Sequence, residues 1–319
     1  MGVSPVVVAI DGGGSKMDAV AVDLAGTIVG RALGPGGYPQ FGGLAGSVAQ
    51  VDALVREVAG GAPIARTGLY LSGLDLPQEV STYREAVADR DWASAGLDVE
   101  NDLFALLRAG TRALDAVVVV CGTGINAMGR REDGRVVRFA SLGRISGDWG
   151  GGGGLGEEAM WYAARAEDGR GSETALLDAV REHFEVATIA DLITQFHLGL
   201  RSTDELRDLT PAVLRLGGSD EVAGALVDRQ AEEVVTMALT CLRRLDLLEA
   251  AVPVVLGGGV LRSADPRLMS GVATGLAAGA PRAEIVPVTA PPILGAALLT
   301  LEAAGAPASA LGVVERAFS

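Results

Sequence analysis

Apolar and polar positions along this chain fall into short blocks punctuated by glycine. Val6 to Ile10 is an unbroken apolar run, the pattern of a strand buried on both faces. Met17 to Val22 is a second run, Ala25-Gly26 a turn, and Thr27 to Ala32 a third strand. VVVAIDGGGSKMDAVAVDLAGTIVGRA therefore predicts a three-stranded meander with a glycine turn after its first strand. The stretch AVVVVCGTGINAMGRREDGRVVRFA, residues 116 to 140, has the same order, with an Asp133-Gly134 turn before its last strand. Asp11-Gly12-Gly13-Gly14 aligns with Cys121-Gly122-Thr123-Gly124, 110 positions further on, the mark of an internal duplication.

Helices and strands follow each meander. Leu44, Val48, Val51, Val55 and Val58 recur at helical spacing. Leu69 to Leu74 predicts a strand, Pro77 to Asp91 a helix with proline in its first turn, Leu97 to Glu100 a strand and Leu103 to Leu114 a helix. The second meander leads into five consecutive glycines, 150 to 154, with a helix expected from about Leu155. The longest helical segment is Glu221 to Leu248. Val252 to Leu256 predicts a strand, Arg267 to Ala278 a helix, Glu284 to Val288 a strand and Ile293 to Ala304 a closing helix. The fold class is α/β, in two halves that part near residues 113 to 116.

Composition narrows the function. The formal net charge of −14 excludes a protein that wraps nucleic acid, which needs a basic face. A nucleotide would need backbone N–H groups and a metal ion to offset the general repulsion. Among 26 basic residues only Lys16 is a lysine, and it directly follows DGGGS. Two distant cysteines, Cys121 and Cys241, make neither a disulfide framework nor a zinc knuckle. His183 and His197 have ordinary helical flanks and read as surface or core histidines. No run approaches a membrane span and the N-terminus lacks a charged signal region, so a cytoplasmic protein without membrane contact is expected.

Three glycine-rich turns each follow an apolar strand: DGGGSK at 11 to 16, CGTGIN at 121 to 126 and LGGGV at 256 to 260. Glycine admits positive φ and lets an anion approach backbone N–H groups. None fits the dinucleotide-binding fingerprint or a Walker A loop, because the first two join strand to strand. Asp11 ends a strand, and Asp102 stands where a strand gives way to a helix. There Asp102 reads equally as a catalytic carboxylate or as a helix cap.

The order of these motifs resembles the sugar kinase, Hsp70 and actin superfamily. Within it the chain resembles the BadF/BadG/BcrA/BcrD-type ATPases, a group that includes N-acetylglucosamine kinases, over essentially its whole length. The resemblance implies two ribonuclease-H-like domains with mixed sheets flanked by helices and a nucleotide cleft between them. The first domain would span 1–114 and the second 115–319, the last helix packing back on the first. It implies ATP and Mg²⁺ as cofactors, with Asp11 holding the metal. Gly12, Gly13, Gly14, Ser15 and Lys16 would meet the phosphates, as would Gly122 and Thr123, and Gly257, Gly258 and Gly259 the adenosine. Asp102 would be the base that deprotonates a sugar hydroxyl. Gly124, Asn126, Asp148 and Tyr38 would bind the acceptor. Tyr38, in GPGGYPQF, takes the place of a family asparagine, and Leu142 that of a tryptophan. The glycine run then reads as the floor of the acceptor site and a hinge, with Glu157 and Glu158 in the first turn of the helix that follows.

The implied activity is an ATP-dependent kinase acting on a hexosamine-type sugar, N-acetylglucosamine or a relative, with a small sugar as partner and a homodimer left open. Two alternatives stand beside it. One is an ATPase that energises a reductase or dehydratase, which bridges a dimer with an iron–sulfur cluster held by thiolates. The other is a non-enzymatic ATP-binding clamp, which has no use for a base at Asp102.

Overall fold

The computed structural model describes residues 4–14 and 16–318. The apolar runs form two five-stranded sheets. In chain order the first elements are β1 (Val6–Gly12), β2 (Lys16–Asp23), β3 (Ile28–Pro35), α1 (Pro39–Gly42), α2 (Leu44–Ala59), β4 (Ile64–Leu71), α3 (Pro77–Val87), β5 (Leu97–Asn101) and α4 (Asp102–Gly110). Next come β6 (Ala116–Cys121), β7 (Ile125–Arg130), β8 (Val136–Arg138), α5 (Gly151–Glu167), α6 (Leu176–Phe184), α7 (Ile189–His197), α8 (Thr210–Leu216) and α9 (Glu221–Arg244). The chain closes with β9 (Pro253–Gly257), α10 (Gly259–Arg262), α11 (Pro266–Gly279), β10 (Glu284–Pro287), α12 (Pro292–Ala303) and α13 (Ala308–Ala317).

The first sheet has the order β3-β2-β1-β4-β5 and the second, read from its meander, β8-β7-β6-β9-β10. In each, three antiparallel strands are extended by two parallel ones. The duplication read in the meanders thus extends to the whole sheet.

Contacts divide the chain into two units. One runs up to Ala113 and resumes at Val288; the other is Leu114–Pro287. The segment beyond Val288, assigned above to the second half apart from a returning helix, therefore belongs with the first sheet, as do both α12 and α13. A second closing helix, α13, follows the expected one.

Alternation explains why β1 is apolar throughout. Val6, Val8 and Ile10 pack with Val51, Val55 and Tyr83 of α2 and α3, while Val7 and Ala9 pack with Ile293, Ala297 and Leu301 of α12. In the second unit, Val117, Val119 and Cys121 share a core with Leu155 of α5 and with Val234, Ala238 and Cys241 of α9. Among the described residues no helix is long and apolar enough to cross a membrane.

Candidate active site

In the first unit the parallel strands β1, β4 and β5 all end at one edge of the sheet, so their following loops share that edge. Asp11 pairs across the hairpin with Asp18, and Gly12 lies beside Leu71. Burial pushes the Asp11 carboxyl up to about 8; the neighbouring Asp102 and Asp18 carboxylates push the same way, and Lys16 opposes them. Lys16 Nζ donates to Asp18 Oδ2 at 2.7 Å, and the Lys16 carbonyl accepts the Gly13 N–H at 2.8 Å, closing the loop. The Gly12 carbonyl accepts the Ser72 N–H at 2.7 Å. The Ser72 hydroxyl is shut off from solvent and has no partner among the described residues. Gly14 has open space around it. Ser15 lies outside the described residues.

Asp102 is the first residue of α4, where a carboxylate suits the helix dipole. It is not the cap. The Asn101 side chain accepts the Leu103 N–H at 3.2 Å, so capping does not account for Asp102. The Tyr38 ring lies against Gly73, and its hydroxyl pKa is raised by burial first, then by Asp75, Glu79 and Asp102. Among the described residues no group of three or more His, Cys, Asp or Glu side chains could hold a metal ion. The site fits a hard cation of another kind, held by one carboxylate together with ligand oxygens and water. Asp11 is buried among like charges that such a cation would neutralise.

In the second unit the glycine run, expected to be a floor and a hinge, opens a helix instead of preceding one. Gly150 precedes α5 at φ +102°, and Gly151 to Gly154 are the first turn of that helix, which starts four residues before the expected Leu155. Glu157 and Glu158 consequently fall in its second turn. Gly152 N–H donates to the Gly122 carbonyl at 2.7 Å and Gly153 N–H to that of Thr123 at 2.9 Å. A trans peptide points its C=O and N–H in opposite directions, and no peptide among the described residues is cis. The N–H groups of Thr123 and Gly124 are thereby turned away from α5. The approach is so close that a Cβ on Gly151, itself at φ +73°, would land on the Gly124 backbone. Gln230 of α9, fully buried, accepts the Gly151 N–H at 2.8 Å.

A cavity of about 240 Å³ opens beside this turn, lined among others by Thr123, Gly124, Asp148, Gly150 and Glu157. Asp148 is buried, and its Oδ2 accepts the Ser146 hydroxyl at 2.5 Å and the Gly143 N–H at 3.1 Å, leaving Oδ1 for other partners. Asn126 is buried on β7, its Oδ1 accepting the Ala127 N–H at 2.7 Å. Leu142 is part of the loop next to this cavity but does not line it, and its side chain is exposed. Gly257 ends β9, and Gly258, at φ +89°, sits where a Cβ would strike the Cys121 backbone. This turn is therefore packed on the strand that leads into the 122–124 loop, with Gly259 opening α10 beyond it.

The sequence pattern of the BadF/BadG/BcrA/BcrD ATPase family matches residues 8–300. The chain belongs to that family. It is 26% identical to the N-acetyl-D-glucosamine kinase of Dictyostelium discoideum over 316 residues, 92% of this chain and 97% of that one. It is 25% identical to the N-acetylmuramic acid/N-acetylglucosamine kinase of Clostridium acetobutylicum over 197 residues, 60% and 63% of the two chains. Among solved structures it resembles one from Chromobacterium violaceum described as an N-acetylglucosamine kinase. That TM-score is 0.72 at 24% identity, covering 93% of this chain and 99% of the other, and it speaks for the fold.

Within the family frame, the geometry adds residues that motif reading passed over. Asp18 faces Asp11 across the hairpin, Asn101 caps α4, Asp75 lies next to Tyr38, and Gln230 holds the glycine turn. The sequence marks only the turn that carries Asp75, since SGLD follows an apolar run as the other glycine turns do, and not the role of Asp75 itself.

Proposed function

We propose that the protein is an ATP- and Mg²⁺-dependent sugar kinase that phosphorylates a hydroxyl of an N-acetylhexosamine, N-acetylglucosamine or a close relative. The observation that carries this reading is Asp102. It opens α4 at the sheet edge where Asp11 and Gly12 close β1, with the capping role already filled by Asn101. In the reaction the acceptor oxygen attacks the γ-phosphorus, its proton passes to the Asp102 carboxylate, and ADP leaves with the electron pair of the broken P–O bond. Mg²⁺ bound through Asp11 would neutralise charge on the phosphate oxygens.

Gly12, Gly13, Gly14, Ser15 and Lys16 serve the phosphates in the first unit. In the second, Gly122 and Thr123 do so, the outward-turned N–H groups of Thr123 and Gly124 suiting anionic oxygens. Gly257, Gly258 and Gly259 serve the adenosine; Tyr38, Gly124, Asn126 and Asp148 serve the acceptor. The names of the two curated relatives support the acceptor class. An ATPase coupled to a bridging iron–sulfur cluster is disfavoured because Cys121 and Cys241 are both buried, and burial pushes each thiol up to about 12.

The test is ADP release from Mg-ATP with a panel of N-acetylglucosamine, N-acetylmuramic acid, glucose and no sugar. Release that rises with an N-acetylhexosamine and yields its phosphate ester is expected. Hydrolysis indifferent to every sugar would overturn the reading.

A further inference from the structure

The two sheets repeat one another strand for strand, so the loop after β4 in the first holds the place of the loop after β9 in the second. The β9 loop is the third glycine turn. Its counterpart, Ser72-Gly73-Leu74-Asp75, has the same left-handed glycine, Gly73 at φ +77° against Gly258 at +89°. It delivers Asp75, a carboxylate only 9% exposed.

That loop is held from several sides. The Glu79 carboxylate accepts the N–H groups of Asp75 and Leu76 at 2.9 and 2.8 Å. The Gln40 amide donates to the Gly73 carbonyl at 2.7 Å and to Glu79 at 2.8 Å. The Asn101 amide donates to Asp75 Oδ1 at 3.1 Å while its oxygen caps α4 at Leu103. Both ends of a buried amide are thus committed, one to Asp75 and one to the turn that begins with Asp102. Capping alone needs only the oxygen of Asn101. A buried carboxylate behind it, in surroundings where Glu79 and Asp102 also raise the pKa of the Tyr38 phenol, is a cost that a purely structural clamp would not require.

We propose that Asp75 is a positioning residue for phosphoryl transfer: acting through Asn101, it sets the first turn of α4 and so aims the Asp102 carboxylate at the acceptor hydroxyl. The proposal rests on the reading of Asp102 as the base. A charge-assisted hydrogen bond fixes the Asn101 amide more firmly than a neutral one. A misplacement of about 1 Å in a reacting group costs about a hundredfold in rate.

The experiment is a reciprocal exchange, read by steady-state kinetics with ATP and acceptor varied in turn. Asn101→Asp keeps an equally good cap oxygen but sets two carboxylates against each other. It should lose about ten- to a hundredfold in kcat, with both KM values within about threefold. Adding Asp75→Asn restores a donor–acceptor pair with the roles swapped, and kcat should return to within about threefold of the parent. Asp75→Asn alone folds without a cavity and separates the alternatives: a raised acceptor KM at unchanged kcat would mean that Asp75 binds the acceptor directly and would overturn the proposal. So would an exchange that fails to recover kcat, or an Asn101→Asp variant with parental kcat. Asp102→Asn is measured alongside. Parental turnover there sinks the base reading itself, whereas loss there with an inert Asn101→Asp sinks only the clamp.

Discussion

Asp11 sits where ionisation is unfavourable: burial, then Asp102 and Asp18, push its pKa up to about 8. Its ordinary value, which the unfolded chain retains, is 3.8. Between those two values the native state holds a proton that the unfolded state has lost, so ligand-free stability falls as pH rises through that window and levels off above it. Asp11→Asn removes this dependence. Its ligand-free Tm should exceed the parent's by at least about 2 °C at pH 8, with a smaller difference at pH 5, while Mg²⁺-dependent nucleotide binding weakens. Equal Tm values at both pH values, by differential scanning fluorimetry, would show that the carboxylate is not destabilised by its surroundings. Asp11 and Asp102 were legible in the sequence because each sits at a strand end beside a break in pattern, which local reading detects. Asp75 and Gln230 were not, because each takes its role from a partner far along the chain, Asn101 in one case and Gly151 in the other.

At the scale of elements, the glycine run shows where local propensity misleads. Each glycine costs about 1 kcal/mol relative to alanine inside a helix, so a run of them argues for a helix starting only at Leu155. The helix starts at Gly151 because tertiary contacts decide it: the N–H groups of its first turn are taken up by Gln230, Gly122 and Thr123. The glycines differ in what they do. Gly154 has nothing within 4 Å of a notional Cβ and no positive φ, so Gly154→Ala should stabilise the protein by about 0.5–1 kcal/mol. Gly151 has a positive φ and no room, so Gly151→Ala should destabilise it and displace the 122–124 loop, lowering kcat/KM. Urea denaturation of the two variants checks this. Similar midpoints would mean that the run is a uniform, passive loop.

At the scale of the whole molecule, the duplicated meander made the repeat of the sheets legible, but the route of the chain was not. The first unit is completed by residues that arrive only after the entire second unit has been traversed. Periodicity identifies α12 as a helix yet says nothing of which sheet it covers, and α13 is too short and alanine-rich to stand out. In the fold, Ile293, Leu298, Leu301 and Val314 are buried against one face of the first sheet, with Val7, Ala9, Val20 and Val22 beneath them. At about 1.5–3 kcal/mol for each large side chain, their burial is comparable with the about 5–15 kcal/mol that holds a typical domain together. The second unit, by contrast, draws its core from within Leu114–Pro287. A chain ended after Pro287 should therefore keep the second unit folded and lose the first. Limited proteolysis should leave a resistant fragment beginning near Leu114, while residues before Ala113 are degraded. Protection of both regions in the shortened chain would mean that α12 and α13 merely cover a sheet that is stable without them, and that the first unit does not depend on the chain's return.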